Sequence, residues 1–249
     1  MTAARVLIGF HAVLARLRAD AASVAEILVD ESRHDARLAD VVRVAEAAGV
    51  RVLRVPGKRL DGFYGGGRHQ GIVARVHARA EQATLDALLD ALAEPALLLV
   101  LDGVTDPHNL GACLRVADAA GAHAVVVPKD RSAGLTPVAT KVASGAAESV
   151  AFVAVTNLAR TLDALKARGV WVVGAVEDAA DDLYGADLPG AIAWVLGSEG
   201  EGLRRLTRER CDLLVRIPMH GHVESLNVSV AAGLCLFESR RRRGAGLGP

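Results

Sequence analysis

Three stretches of this 249-residue sequence gather glycines and polar side chains at spacings that suit chemistry. The first, Asp102-Gly-Val-Thr-Asp-Pro-His-Asn109-Leu-Gly111, is dense in turn formers and leads into a helical pattern that contains Arg115. Asn109 stands where an N-cap is expected, its side chain free to accept from a helix N–H. Arg115 falls in the second turn of a helix otherwise lined with Ala, Leu, Val and Cys, so its guanidinium either reaches solvent or is aimed at an anion. The second stretch, Gly197-Ser-Glu199-Gly200-Glu-Gly202, brings a ligand close to bare backbone and opens a helix whose first N–H groups suit an anion. Its spacing is neither a P-loop nor the dinucleotide fingerprint. The third runs from Ile217-Pro218-Met219 through His220-Gly-His222-Val-Glu224 to Ser225-Leu226-Asn227-Val-Ser229. The alternating His220, His222 and Glu224 lack the H-E-x-x-H arrangement of a zinc site, and Ser225 lacks the G-x-S-x-G elbow of a hydrolase. A cap at Ser225 opening an apolar helix fits better.

Each stretch follows an apolar run that reads as a strand. From Ala96 onward such runs alternate with helical patterns: strands are expected at 97–101, 124–127, 151–155, 170–175, 191–196 and 213–217, and helices at 110–120, 136–147, 158–168, 202–210 and from Ser225 to about Arg240. Near-continuous apolar strands alternating with helices describe a parallel sheet covered on both faces, whose ligands lie beyond the carboxyl ends of the strands, where the three stretches fall. The last helix, apolar on nearly every side from Leu226 to Phe237, is expected to be sandwiched in the core or against a second subunit. Before this domain lies a small α/β unit of about 75 residues, with helices at 9–18, 37–48 and 58–64 and strands at 24–29, 50–55 and 71–76. Domain bounds of 1–78 and 96–249 follow, joined by a linker over 79–95 that holds a short helix closed by Pro95.

Hydrophobic residues make up 51% and charged residues 23%, enough apolar content for packed cores. No apolar run is long enough to cross a membrane and Met1 to Phe10 does not read as a signal peptide, so a cytoplasmic protein is expected. Cys113, Cys211 and Cys235 are scattered in apolar segments and read as reduced core residues. The zero net charge conceals an uneven distribution: residues 1–80 hold 13 Lys/Arg against 8 Asp/Glu, residues 81–203 hold 7 against 17, and residues 204–249 hold 9 against 4. Arg51, Arg54, Lys58, Arg59 and Arg68 lie near Phe63, Tyr64 and Gly65-Gly66-Gly67, a mixture of cation, ring and pliable loop that suits RNA. The run Arg240 to Arg243 has weaker claims, since terminal charge runs are commonly solvated.

In this order the three stretches resemble the signature motifs of the SpoU/TrmH family within the SPOUT class of RNA methyltransferases: 102–121, 196–203 and 217–234. The likeness extends through 125–133 and 141–148, and through Gly9-Phe-His-Ala-Val and His69-Gln-Gly71, which places the sequence nearest the bacterial 23S ribosomal RNA guanosine 2'-O-methyltransferases. The resemblance implies an α/β fold: a knotted (trefoil) parallel-sheet methyltransferase domain preceded by a small L30e-like RNA-binding domain. It implies S-adenosylmethionine as cofactor, held by Gly197, Glu199, Gly200, Ile217, Pro218, Met219 and Leu226, with no metal. Asn109, Arg115, Glu199, Ser225 and Asn227 would occupy catalytic and substrate positions. Ribosomal RNA would be the substrate, and a homodimer through the knotted domain the assembly. The family carries smaller or neutral residues where this sequence has His222-Val-Glu224. A transfer RNA ribose methyltransferase and a non-catalytic RNA-binding assembly factor are the alternatives, and a Rossmann-type nicotinamide enzyme lacks its glycine fingerprint here.

Overall fold

The computed structural model describes residues 5–63, 69–77, 84–188, 190–198 and 200–244. They form two compact units, one comprising residues 1–81 together with 144–149, the other residues 82–143 and 150–249.

The first unit is built on four strands, β1 (Arg5–Ile8), β2 (Val24–Asp30), β3 (Val52–Val55) and β4 (Ile72–Val76), in the order β1-β4-β2-β3. β4 runs antiparallel to both β1 and β2, while β2 and β3 are parallel. Alternation along β2 and β4 divides the apolar residues between two faces. Ile27, Val29, Ile72, Ala74 and Val76 meet α1 (Phe10–Asp20) and α2 (Ala36–Ala47). Leu28 and Val73 meet Leu60 of the short α3 (Gly57–Asp61). The strand β1 was missed because its apolar stretch, Val6 to Ile8, is only three residues long. Phe63 packs against the α3 side of the sheet with the Arg75 guanidinium 5.0 Å from its ring centroid, and Arg51 is paired to Glu26 at 2.9 Å. Three members of the RNA-suited mixture therefore have partners within the unit, Phe63, Arg51 and, through a 3.4 Å bond to the Arg33 carbonyl, Arg54; Lys58 and Arg59 are exposed, and residues 64–68 lie outside the described part.

The helix expected over 136–147 is two helices, α6 (Pro137–Val142) and α7 (Ala146–Ser149). Between them Ser144 and Gly145 take φ of 51° and 97°, and a Cβ on Gly145 would come within 2.7 Å of the His11 carbonyl oxygen. α7 belongs to the first unit, where Glu148 accepts from Arg16 Nε at 2.8 Å; both side chains are 2% exposed or less.

The second unit holds seven parallel strands: β5 (Leu97–Asp102), β6 (Ala124–Pro128), β7 (Ala151–Val155), β8 (Trp171–Ala175), β9 (Asp181–Asp182), β10 (Ile192–Gly197) and β11 (Leu213–Arg216). Their order is β7-β6-β5-β10-β8-β11-β9. α4 (Leu85–Asp90) and α8 (Leu158–Ala167) cover one face through Leu85, Leu88, Leu158, Leu162 and Leu165. On the other face lie α5 (Pro107–Ala119) and α10 (Val228–Gly244), the latter held to β10 by a buried bond from Trp194 Nε1 to Ser239 Oγ at 2.9 Å. The last helix is not covered on every side: Val230 and Phe237, two turns apart on one face, are about half exposed. Its Arg240–Arg243 run is not merely solvated. Arg240 donates to the carbonyls of Ala120 and Gly121 and pairs with Glu94; Arg242 donates to the carbonyls of Leu183, Tyr184 and Ala186 and to Glu238; Arg243 donates to those of Ala96 and Gly190. Among the described residues no helix is long and apolar enough to cross a membrane.

Candidate active site

Because β10 is inserted between β5 and β8, two of the three loops start side by side: Gly197 at the end of β10 pairs in register with Asp102 at the end of β5. The third loop leaves β11, two strands further along the same edge.

The first loop turns at Gly103, whose φ of 87° suits glycine. Asp106, not Asn109, caps α5, accepting from His108 N at 2.9 Å, with Pro107 at the first helical position where its missing N–H costs nothing. Asn109 sits inside the first turn, half-buried. Arg115 lies two turns into α5, exposed and with no hydrogen-bond or ion-pair partner among the described residues.

The second loop closes on itself through Ser198 N to Gly202 O at 3.2 Å and Gly202 N to Ser198 O at 3.0 Å. A Cβ on Gly197 would overlap the Gly202 backbone, which is why glycine is required there. The loop does not open a helix as expected: α9 (Arg205–Arg210) begins three residues after Gly202. Glu199 lies outside the described residues. Arg204, which the sequence reading did not single out, donates from Nε to the fully buried Asp102 carboxylate at 2.6 Å and from its backbone N at 3.0 Å. This pair ties the end of the second loop to the start of the first. The signal available in the sequence was an acidic residue closing an otherwise apolar strand.

The third loop carries Ile217, Pro218 and Met219, all half-buried, and Ser225, which is exposed. Ser225 is not the cap. Helix α10 starts at Val228, and Asn227 Oδ1 accepts from Ser229 N at 2.9 Å and from Ser229 Oγ at 2.6 Å. The same amide donates from Nδ2 to Asn109 Oδ1 at 2.8 Å, joining the third loop to the first. Thus Asn109 and Asn227 are brought together, and Gly197 is placed opposite Asp102. Leu226 is half-buried beside Asn227, and Gly200 adopts φ of 89°. His220, His222 and Glu224 are exposed, and no group of three or more His, Cys, Asp or Glu is placed to hold a metal among the described residues. Cys113 and Cys235 are buried, and desolvation pushes the Cys235 thiol up to about 12, which makes it a poor nucleophile.

Residues 96–237 match the model of the SpoU rRNA Methylase family, and residues 6–82 match the model described as RNA 2'-O ribose methyltransferase substrate binding. Among curated proteins, the 23S rRNA (guanosine-2'-O-)-methyltransferase RlmB of Ralstonia nicotianae is 61% identical over 98% of this chain and 98% of its own. RlmB of Nitrosomonas europaea is 56% identical over 99% of this chain and 96% of its own. Among solved structures, the SpoU methyltransferase AviRb from Streptomyces viridochromogenes in complex with the cofactor AdoMet aligns with a TM-score of 0.76 at 25% identity, covering 99% of this chain and 92% of that one. A parallel sheet whose edge gathers these three loops, matched over nearly its whole length at this identity, shows that the chain belongs to the SpoU rRNA methylase family.

Proposed function

We propose that the chain transfers a methyl group from S-adenosylmethionine to the 2'-hydroxyl of a guanosine ribose in 23S ribosomal RNA, as the names of its full-length relatives describe for them. The observation that carries the reading is the joining of the three loops at one sheet edge by Asn227–Asn109 and Arg204–Asp102.

The residues present fit the cofactor. Ile217, Pro218, Met219 and Leu226 are apolar yet only half-buried at the carboxyl edge of a parallel sheet, a surface suited to an adenine ring. Gly197 and Gly200, half-buried and exposed, carry no side chain to keep a ligand from the backbone. Glu199, Gly200, Gly197 and the four apolar residues would hold the cofactor, which when bound supplies the electrophilic methyl group. The chain must then align the sugar oxygen in line and stabilise the charge that develops on it. Arg115 is assigned to that role: a guanidinium stays protonated, so it orients the 2'-oxygen and the adjacent phosphate rather than taking the proton. Asn109 and Asn227 hold the walls of the site in register, and Ser225 and Glu199 complete the substrate and catalytic set.

The reading includes a trefoil knot in residues 96–249, an L30e-like RNA-binding domain in residues 1–78, a linker over 79–95, and a homodimer formed through the knotted domain in the cytoplasm. The half-exposed Val230 and Phe237 on one face of α10 support the dimer, as an apolar surface that a second copy would cover.

The test is incubation of the full chain with methyl-labelled S-adenosylmethionine and unmodified 23S ribosomal RNA, followed by mapping of the label. A 2'-O-methylguanosine at one position is expected. Label on a base, or none beside an active control enzyme, overturns the reading.

A further inference from the structure

The second unit spends its cations unevenly. Among the described residues, eleven of the sixteen Lys and Arg of this unit are engaged by a carboxylate or a carbonyl, among them Lys166 by Asp212, Arg208 by Asp178, Arg210 by Asp163, Arg241 by Glu238, and Arg240, Arg242 and Arg243 as above. Five have no such partner: Arg115, Lys129, Arg131, Lys141 and Arg160. All five are exposed, and four of them fall between residues 115 and 141.

Those four share one side of the unit. Lys129 and Arg131 follow the carboxyl end of β6, the strand beside β5, so they lie at the same sheet edge as the first loop. Their loop is fastened to that loop, with Ala133 N donating to the Val104 carbonyl at 2.8 Å. Arg131 adopts φ of 56°, an uncommon state for a non-glycine residue. Lys141 lies on α6, which packs so closely on α5 that a Cβ at Gly111 would stand 2.7 Å from Val142 Cβ. Arg115 is one turn beyond Gly111 on the same face of α5. Within 107–142 the carboxylates are Asp118 and Asp130, so the segment is net positive although residues 81–203 carry 17 acidic against 7 basic residues.

The geometry points to Lys129, Arg131 and Lys141 as a phosphate-gripping rim beside Arg115, which binds the RNA backbone flanking the target ribose. The inference rests on the RNA methylation reading above and deepens it. Cations kept clear of internal partners at the mouth of an otherwise acidic unit provide attraction localised where the backbone must pass, and each phosphate contact releases condensed counterions. Such contacts position the strand without reading its bases.

The experiment compares the full-length wild type with Lys129→Gln/Arg131→Asn/Lys141→Gln, with the single charge reversal Lys141→Glu, and with Arg168→Gln, a surface cation at the C-terminal end of α8, beside the amino ends of the strands. The readouts are the KM and kcat for a 23S ribosomal RNA fragment, S-adenosylmethionine affinity, and the salt dependence of RNA binding. The triple variant is expected to raise KM by about tenfold or more and to lower the slope of log affinity against log salt by about 2, while kcat at saturating RNA and cofactor affinity stay within about twofold. Lys141→Glu should raise KM in the same sense, and Arg168→Gln should leave KM and slope alone. An unchanged KM and salt slope in both rim variants of an active enzyme overturns the inference, as does a fall in kcat without a rise in KM. Absence of methyl transfer by the wild type itself counts instead against the function.

Discussion

Arg115 and the arginines at the end of α10 have the same side chain and opposite employment. Arg240, Arg242 and Arg243 each bridge to carbonyl oxygens of at least one loop, and Arg242 is 13% exposed in its side chain. Arg115 touches none among the described residues and projects from α5. The difference teaches how a fold sorts chemically identical groups: the guanidinium's fork satisfies several orphan carbonyls at once where it is internal, and where it is kept unspent it stays available to an anion that arrives later.

The comparison breaks first at Arg115. Replacement by Ala should lower kcat by about 10²–10³-fold or more while leaving the melting temperature and S-adenosylmethionine affinity nearly unchanged, read by label incorporation and by calorimetric titration. Retained turnover removes Arg115 from its assigned role. Next, Arg242→Ala should do the reverse, costing about 2–3 kcal/mol by leaving three carbonyls without their donor, and lowering the melting temperature by about 5–10 °C. Arg241→Ala, which removes only a half-exposed partner of Glu238, should be almost silent in the same melt. The smallest effect concerns Glu94, whose carboxyl is held down to about 2, chiefly by the Arg240 guanidinium and further by His123. Its contribution to stability is complete above the ordinary value of 4.5 and is lost as pH falls from there through about 2. The denaturation midpoint of the wild type should therefore exceed that of Arg240→Gln at neutral pH, the small part of that margin due to Glu94 disappearing across that acid window and the part due to the Ala120 and Gly121 carbonyls remaining. A margin independent of pH would place the benefit of Arg240 in its carbonyl contacts alone.

Much of the fold was legible because the parallel strands are uniformly apolar. The runs at 97–101, 151–155 and 191–196 lie within one residue of the observed strands β5, β7 and β10. Caps were harder. The first loop offers Asp102, Thr105, Asp106 and Asn109 as acceptors, and only Pro107, preferred at a first helical position, singles out Asp106. In the third loop Ser225 and Asn227 compete, and the choice depends on Asn109, 118 residues away, which takes the other half of the Asn227 amide. The break at Ser144–Gly145 was equally hidden, since it answers to the His11 carbonyl rather than to any local signal. The pairing of Arg204 with Asp102 spans 102 positions and shows nothing in periodicity. The candidate site was thus readable as three loops and three motifs, and unreadable as the set of long-range bonds that join them.

The Arg16–Glu148 pair has a consequence for biosynthesis. The amino-terminal unit is assembled from residues 1–81 and a six-residue piece at 144–149, and its most enclosed cation is neutralised only by that later piece. An ion left enclosed without its counter-charge is strongly destabilising. A nascent chain that has emerged only as far as residue 81 therefore cannot close this core around Arg16. Completion waits until Glu148 has left the ribosome, so maturation of the first unit follows, rather than precedes, synthesis of more than a third of the second.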